Sequence, residues 1–419
     1  MKQDRARGVM FQRQEACDSM CDRPGAKCNA LRAAVVAVAV AMVGWTVPAW
    51  AQNATAGSVT AESVGVATLP PAGPHRVFVL GGFSSAGGAT VVEADDPHIK
   101  VVGLVPVARG GLMALSSDAG RIYVVETFYS HGNRGTREDV LSVYDGMSLN
   151  LLREITVPGR LLTVPQPHLF EISPDAHLAY IYDLFPSSRV HVIDLDASRV
   201  LASVDLPGCS LAIPYSSTKF ATICGDGTVS AIDIAQAGDP RTAVSKPFFD
   251  ANHDPVFESS CLDSRTNTAW FLTYSGQIVP VSLGDKAPLV GAGWSINVAA
   301  GLPRAGTGEQ ELAWRPGGRG QVMVLNRASK RLYVLMHTGD YWTHKQPGTE
   351  IWVLDPEDHR LERRISLKAP ARGIAVSQDT SPLLYALGDD DEFAVLDATS
   401  GEQLRSRKLS SSLAWTPQG

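Results

Sequence analysis

The sequence predicts an all-β protein, a seven-bladed β-propeller whose blades are four-stranded antiparallel sheets. A short strand of alternating apolar residues, ending in an acidic or other polar residue, recurs seven times. Most copies lie about 40–50 residues apart, which is the period of a propeller blade. A second, hairpin-like unit separates the copies, and each end of the chain supplies one further strand.

The recurring strands differ in sequence but share one pattern, in which the apolar run ends at a turn. They are residues 89–95, 139–145, 189–194, 228–233, 277–282, 350–355 and 392–397. Alternation with period two is typical of a strand with one buried face. The interval between residues 282 and 355 is longer than the others and predicts an insertion, which we expect to face a partner.

The hairpin units consist of a strand, a turn rich in Asp, Ser, Asn, Pro or Gly, and a second strand. They are residues 112–125, 169–182, 256–272, 322–335 and 374–387. Turns such as Ser-Pro-Asp-Ala have the residues that tight turns prefer. Two hairpins make one four-stranded blade.

The two ends of the chain each hold half of a hairpin. Residues 76–79 form a strand with no hairpin partner before it, and residues 410–415 form one with no partner after it. We therefore expect the N- and C-terminal strands to pair and complete one blade. Closure of the ring removes the exposed sheet edges that an open array would leave.

The N-terminal region differs from the rest in composition. Residues 33–47 are an apolar run that follows Lys27 and Arg32 and precedes Ala49-Trp50-Ala51. This pattern predicts a signal peptide, residues 1–51, with cleavage after Ala51. A membrane anchor is the alternative, but the run is shorter than the roughly 20 residues a span needs. Residues 52–74 are small, Pro-rich and polar, as in a flexible arm, and residues 75–419 form the propeller.

The charge of the mature chain limits its partners. Removal of residues 1–51 takes away seven Lys/Arg and four Asp/Glu, which leaves 30 basic against 39 acidic residues. A nucleic-acid-binding surface needs a basic patch or stripe, and none is indicated. We expect no nucleic-acid partner and no membrane association after cleavage.

Three cysteines remain after cleavage. Cys209 and Cys224 lie on neighbouring strand-like runs that a turn at residues 215–218 would bring together. In an oxidising compartment they are the expected disulfide, and closing this loop would stabilise the fold by about 3 kcal/mol. Cys261 is left over and is expected to be a buried apolar thiol.

The sequence lacks the common catalytic and cofactor motifs. It has no His-Glu-x-x-His, and no Cys-x-x-Cys follows residue 51, so no zinc or covalent haem site is indicated. Neither a P-loop nor a dinucleotide fingerprint occurs. We assign no catalytic, cofactor-binding or metal-binding residue to this chain.

Several residues of chemical interest have structural explanations. His337 and His344 flank one loop, and although His337 could be a ligand, a surface or capping role is favoured. Trp314 and Trp352 are expected in core or interface packing. Four acids are interpreted as turn or strand-end residues: Asp175, Asp194, Asp355 and Asp397.

Four segments carry a resemblance to a known family. They are the Arg-Gly-Thr-Arg-Glu-Asp stretch that opens residues 134–145, the two cysteine segments within residues 208–227, Trp-Arg-Pro-Gly-Gly at residues 314–318, and residues 334–355 with their Thr-His-Lys loop. In order and spacing they resemble the heavy subunit of the quinoprotein amine dehydrogenases, of the methylamine and aromatic amine types. The similarity covers residues 76–415.

The resemblance implies a heavy subunit in a periplasmic α2β2 complex with a light subunit. In that family the light subunit holds tryptophan tryptophylquinone and the catalytic base, so no cofactor is expected on this chain. A primary amine is oxidised to an aldehyde and ammonia, and the electrons pass to a blue-copper protein or a cytochrome c. The heavy subunit shapes the substrate channel, where Phe83 resembles a channel-lining phenylalanine.

Two other functions fit the repeat. One is a stand-alone exported β-propeller that acts as a binding or scaffold protein without a redox role. The other is a self-contained propeller enzyme, such as a lactonase or metal-dependent hydrolase, which would need acidic and Asn side chains around a central metal. Only the amine dehydrogenase heavy subunit accounts for the four segments.

Overall fold

A computed structural model describes residues 68–82, 88–235, 239–307 and 312–417, without the side chains of residues 258 and 259. These residues contain 29 β-strands and one short α-helix. The expected signal peptide, most of the arm and Phe83 lie outside them. No helix among the described residues is long and apolar enough to cross a membrane.

The first half of the propeller consists of regular antiparallel strands. They are β1 (Arg76–Leu80), β2 (Ala89–Glu93), β3 (Lys100–Val105), β4 (Leu112–Leu115), β5 (Arg121–Tyr129), β6 (Arg137–Asp145), β7 (Leu151–Val157), β8 (Phe170–Ile172), β9 (Leu178–Asp183), β10 (Arg189–Asp194), β11 (Arg199–Asp205), β12 (Cys209–Pro214), β13 (Lys219–Cys224), β14 (Val229–Asp233) and β15 (Arg241–Val244). β4–β7, β8–β11 and β12–β15 each form one four-stranded sheet.

The second half contains the predicted insertion. Its elements are β16 (Val256–Asp263), β17 (Thr268–Thr273), β18 (Gln277–Ser282), β19 (Leu289–Val290), β20 (Trp294–Ser295), α1 (Ile296–Ala299), β21 (Ala313–Pro316), β22 (Met323–Asn326), β23 (Arg331–Gly339), β24 (Gly348–Asp355), β25 (Arg360–Val376), β26 (Leu383–Gly388), β27 (Glu392–Asp397), β28 (Gln403–Lys408) and β29 (Leu413–Trp415). β16–β19 form a sheet to which β20 adds by pairing with β18.

The remaining strands form two sheets. β29 pairs with β1, so that Val79 lies opposite Ala414, and this confirms the predicted pairing of the terminal strands. β21–β28 form one eight-stranded sheet, because β25 is 17 residues long. Residues 360–366 of β25 pair with β24, and residues 371–376 pair with β26.

The sequence-based description of the fold is confirmed as an all-β propeller with four-stranded antiparallel blades. The seven recurring strands are β2, β6, β10, β14, β18, β24 and β27, each the third strand of its unit. First strands of neighbouring units contact each other, as β4 does with β8 and β16 with β22. Buried apolar rings such as Tyr180 and Phe220, with centroids 5.1 Å apart, fill the space between sheets.

The predicted disulfide is present. Cys209 and Cys224 lie directly opposite each other on β12 and β13 and are bonded. Cys261 on β16 is a free thiol that packs against the apolar core, although its residue is half-buried and not fully buried as expected. Burial raises the pKa of its thiol.

The four aspartates have the structural roles predicted for them, because each accepts backbone hydrogen bonds in a turn. Asp355, for example, accepts from the backbone N–H of Glu357 at 3.0 Å, and Asp397 accepts from that of Ser400 at 2.6 Å. Asp194 and Asp175 accept in the same way.

Candidate functional site

One end of the blades carries the irregular segments. Because the strands of each sheet are antiparallel, every connection between second and third strands lies at the same end as the links between sheets. We call this end the loop face. It includes the link around residues 158–169 and the connections at residues 183–189, 274–276 and 340–347. Residues 317–322, between β21 and β22 of one sheet, also contact this end, where the Gly318 backbone N–H donates to the His344 carbonyl at 2.8 Å.

A cluster of rings lies on the loop face where the strands β16 and β17 approach β23 and β24. The Trp342 ring stacks on Tyr274 with centroids 5.8 Å apart and lies 4.4 Å from Tyr341. His344 stacks on Phe257 at 4.3 Å and meets Tyr274 edge-on at 5.7 Å. These five side chains are named the aromatic cluster, and they come from two neighbouring units, with 67 to 87 positions in sequence between residues of one unit and those of the other.

The Tyr274 hydroxyl fixes the loop at residues 340–347. It accepts a hydrogen bond from the Thr343 backbone N–H at 2.6 Å and donates to the Asp340 carbonyl at 3.1 Å. Trp342, held between these two contacts, has a backbone φ of 64°. A bulky residue in the left-handed region is an outlier that the surrounding contacts must maintain. The loop is therefore held in one conformation that leaves the Trp342 ring half exposed.

Arg315 contacts the aromatic cluster from the interior of the protein. Arg315 is fully buried, its guanidinium lies 5.3 Å from the Tyr274 ring centroid and 5.6 Å from that of Tyr341, and it donates to the Gly306 carbonyl at 2.7 Å. A cation over aromatic faces stabilises both partners.

The surface position that was one of two alternatives predicted for His337 is wrong. Its side chain is 2% exposed, and Nε2 is 2.8 Å from Thr343 Oγ1. Burial lowers its pKa to about 4, so the ring is neutral near pH 7. The prediction failed because the following loop folds back over the ring, which sequence pattern does not show.

The Trp-Arg-Pro-Gly-Gly turn contacts the same loop. A Cβ on Gly317 would overlap the Nδ1 atom of His337 and lie 2.9 Å from the Gln346 carbonyl oxygen. Trp314 packs 5.6 Å from the fully buried Trp352, with the Arg364 guanidinium 4.5 Å from the Trp314 ring centroid, which confirms the packing role expected of both tryptophans. The Trp-Arg-Pro-Gly-Gly turn and the segment at residues 334–355, two of the four singled out from the sequence, therefore pack against each other.

A cavity of about 260 Å³ opens beside the aromatic cluster. Its lining residues come from five segments of the loop face: Val164, Gln166, Pro167, Phe257, Leu272, Thr273, Tyr274, Pro316, Gly317, Gly318, Arg319, Gly320, Val322, His344 and Lys345. None of them is acidic.

Large apolar side chains are also exposed on the loop face, and one of them, Val164, lines the cavity. The most exposed is Phe185, at 85%, in the connection between β9 and β10. The others on the loop face are Phe128, Leu162, Val164, Leu184 and Trp342, which are 39–51% exposed.

A buried polar network anchors the loops at the second unit. Arg160, 2% exposed, donates to Thr127 Oγ1 at 2.8 Å and lies 3.9 Å from Asp139 Oδ1. Arg137 contacts Asp139 at 2.9 Å and donates to the Arg160 carbonyl at 2.7 Å. Arg137 and Asp139, at the end of the segment singled out at residues 134–139, thus connect the 158–169 link to β6. Burial lowers the pKa of Arg160 to about 10.

The proposed channel residue, Phe83, lies outside the described residues. The residues on either side of its segment, Gly82 and Gly88, line a small cleft on the loop face together with Arg109 and Pro165. Within the described residues, no group of three or more His, Cys, Asp or Glu side chains is arranged to hold a metal ion.

Comparison with known proteins gives a consistent result. The family model for the methylamine dehydrogenase heavy chain matches residues 74–417. The methylamine dehydrogenase heavy chain of Methylophilus methylotrophus is 26% identical over 347 residues, covering 82% of this chain and 83% of the relative. That of Paracoccus versutus is 29% identical over 353 residues, covering 83% and 79%. A solved dihydro-haem d1 dehydrogenase gives a TM-score of 0.49 at 12% identity, covering 83% of this chain and 76% of its own, which is too low to bear on function.

Proposed function

Because the chain belongs to the methylamine dehydrogenase heavy-chain family, we propose that it is the heavy subunit of an amine dehydrogenase. The match over residues 74–417 carries this proposal. The complex oxidises a primary amine to an aldehyde and ammonia. Tryptophan tryptophylquinone and the catalytic base reside on a light subunit, in an α2β2 assembly. The electron acceptor is a blue-copper protein or a cytochrome c.

The loop face is the proposed docking surface for the light subunit. It combines exposed apolar side chains, such as Phe185 and Trp342, with loops held rigid by Tyr274 and Arg160. Stable interfaces bury about 1,200–2,000 Å² and rely on a few aromatic anchors in preorganised surroundings. The loop at residues 340–347, which Tyr274 holds in place, presents the half-exposed Trp342 as such an aromatic anchor.

The substrate channel is proposed to run beside Phe83. The flanking Gly82 and Gly88 belong to the connection between β1 and β2, on the same face as the docking surface. A channel at this position would lie between the two subunits. The heavy subunit would then shape access for the amine without contributing reacting groups.

Seven blades and a periplasmic location complete the proposal. The eight-stranded sheet is interpreted as two blades that share β25, since its residues 360–366 pair with β24 and its residues 371–376 pair with β26. In the first of these blades, β21 and β22 together take the place of the first strand, because both pair with β23. The apolar run before Ala51 and the Cys209–Cys224 disulfide support export.

Docking is tested by matched variants of two exposed apolar residues. We expect Phe185→Ser to weaken binding to the co-expressed light subunit at least thirtyfold, or about 2 kcal/mol, as an aromatic anchor does. Leu289→Ser is the control, because Leu289 is 70% exposed on the outer strand β19. Equal light-subunit affinities for the two variants, measured by titration, would place the interface elsewhere.

The stand-alone scaffold remains the alternative function, and purification from the native source decides between the two. A heavy subunit co-purifies with a small, disulfide-rich chain that has quinone absorbance. A scaffold protein would elute without either.

A further inference from the structure

The cavity on the loop face has the size and shape of a small-molecule site. Its volume of about 260 Å³ is just below the range of about 300–1,000 Å³ that holds drug-sized ligands. It therefore suits a molecule of one ring and a short substituent. Its walls are preformed, because the hydrogen bonds of Tyr274 fix the loop that supplies His344 and Lys345.

The charged side chains that line the cavity are all positive. Arg319 and Lys345 both line the cavity, and neither forms an ion pair with any residue in the described part of the chain. The Arg319 backbone N–H donates a hydrogen bond to the carbonyl of Arg372, whose guanidinium forms an ion pair with Asp389. A nearby acid, Asp254, accepts hydrogen bonds from Ser275 and does not line the cavity. The cavity thus favours an anion and disfavours a protonated amine.

The apolar part of the lining is suited to a flat ring. Phe257 and His344 are stacked with an interplanar angle of 19°, and Tyr274 stands at 83° to His344. The Nδ1 atom of His344 is shielded from solvent and has no hydrogen-bond partner. Burial lowers the His344 pKa, assisted by Lys345, so the neutral ring can accept or donate one hydrogen bond. A buried polar atom without a partner is costly unless a ligand satisfies it.

From this lining we propose that the cavity is a binding site for a small aromatic carboxylate. The carboxylate is placed against Arg319 and Lys345, and the ring against Phe257 and Tyr274. His344 contributes one hydrogen bond through Nδ1. The site is complete within this chain, so it does not require a light subunit or amine oxidation.

The test uses the full chain and isothermal titration at pH 7.5 with four probes. Phenylacetate is expected to bind saturably with one site per chain. Its neutral amide, phenylacetamide, and the cation 2-phenylethylammonium retain the ring, and acetate retains only the charge. We expect each of the three to bind at least about tenfold more weakly than phenylacetate. Phenylacetamide and 2-phenylethylammonium lose the hydrogen bonds of the carboxylate to charged groups, and acetate loses the burial of the ring.

Variants assign the binding to the cavity. Lys345→Gln and Phe257→Leu are expected to weaken phenylacetate binding at least tenfold, whereas Lys246→Gln, an exposed lysine on the same face, leaves it unchanged. Thermal unfolding of each variant confirms that it folds. Absence of saturable phenylacetate binding to the folded wild-type chain would overturn the proposal. So would equal affinity for phenylacetamide, or wild-type affinity in the Lys345→Gln variant.

Discussion

Substitution of Gly317 by alanine tests how the Trp-Arg-Pro-Gly-Gly turn and the following loop are joined. The new Cβ would overlap His337 Nδ1 and approach His337 Cε1 to 2.5 Å and the Gln346 carbonyl oxygen to 2.9 Å. His337 cannot turn away freely, because it is buried and its Nε2 is bonded to Thr343. Overpacking of a tight site costs about 1–3 kcal/mol, and two rigid neighbours place this variant near the upper end.

Urea unfolding of wild type and Gly317→Ala measures the effect as a change in midpoint at constant slope. Gly284→Ala is the matched control, since nothing lies within 4 Å of a Cβ at that position. We expect the control to remain within about 0.5 kcal/mol of wild type. Tryptophan fluorescence of Gly317→Ala should also change, because the loop carries Trp342. If the two alanine variants were equally stable, the close contact between turn and loop would be refuted.

Three further changes test separate parts of the fold. Cys209→Ser should lower the unfolding free energy by about 3 kcal/mol, because it removes the disulfide to Cys224. Dithiothreitol should produce the same loss in the wild type, because it reduces this disulfide. Equal stability of the oxidised and reduced proteins would contradict the prediction. Arg160→Met should cost about 2–4 kcal/mol, because it leaves the buried Asp139 carboxylate with Arg137 as its remaining cationic partner; urea unfolding at neutral pH measures this cost, and a stabilised variant would contradict it. Burial lowers the His337 pKa to about 4. The neutral ring therefore contributes to the free energy of unfolding fully above the unfolded pKa of about 6.5, and about 3 kcal/mol of stability is lost as the pH falls towards 4. His337→Gln should flatten this part of the curve of stability against pH, and an unchanged curve would contradict the assignment.

The repeating part of the fold was predictable because its signals are local. Each recurring strand carries its own alternation and its own turn, and the turn acids such as Asp355 hold the backbone of the residues that follow them. The disulfide was predictable for the same reason, since Cys209 and Cys224 lie on adjacent strands of one hairpin. The unbroken strand β25 was not predicted, because only its last residues, from 374 onwards, lie in a recognised hairpin unit.

The loop face was only partly predictable. The sequence singled out the turn at Gly317 and the loop at His344 but not their contact, which depends on two units that meet in space. Phe257 and Tyr274 were not assigned to a site, because Phe257 lies in an ordinary hairpin pattern and Tyr274 in the short connection between β17 and β18. The available signal was the Tyr-Trp pair at residues 341–342, since two large rings in a connection between strands are unusual.

Amine oxidation by the reconstituted complex tests the central proposal most directly. The chain is co-expressed with its light subunit, and reduction of a dye acceptor is followed with a panel of primary amines. We expect amine-dependent dye reduction with release of aldehyde and ammonia only when both chains are present, and weaker activity at limiting subunit concentration for Phe185→Ser. If this chain binds no light subunit and its presence leaves amine-dependent dye reduction unchanged, it is not an amine dehydrogenase heavy subunit.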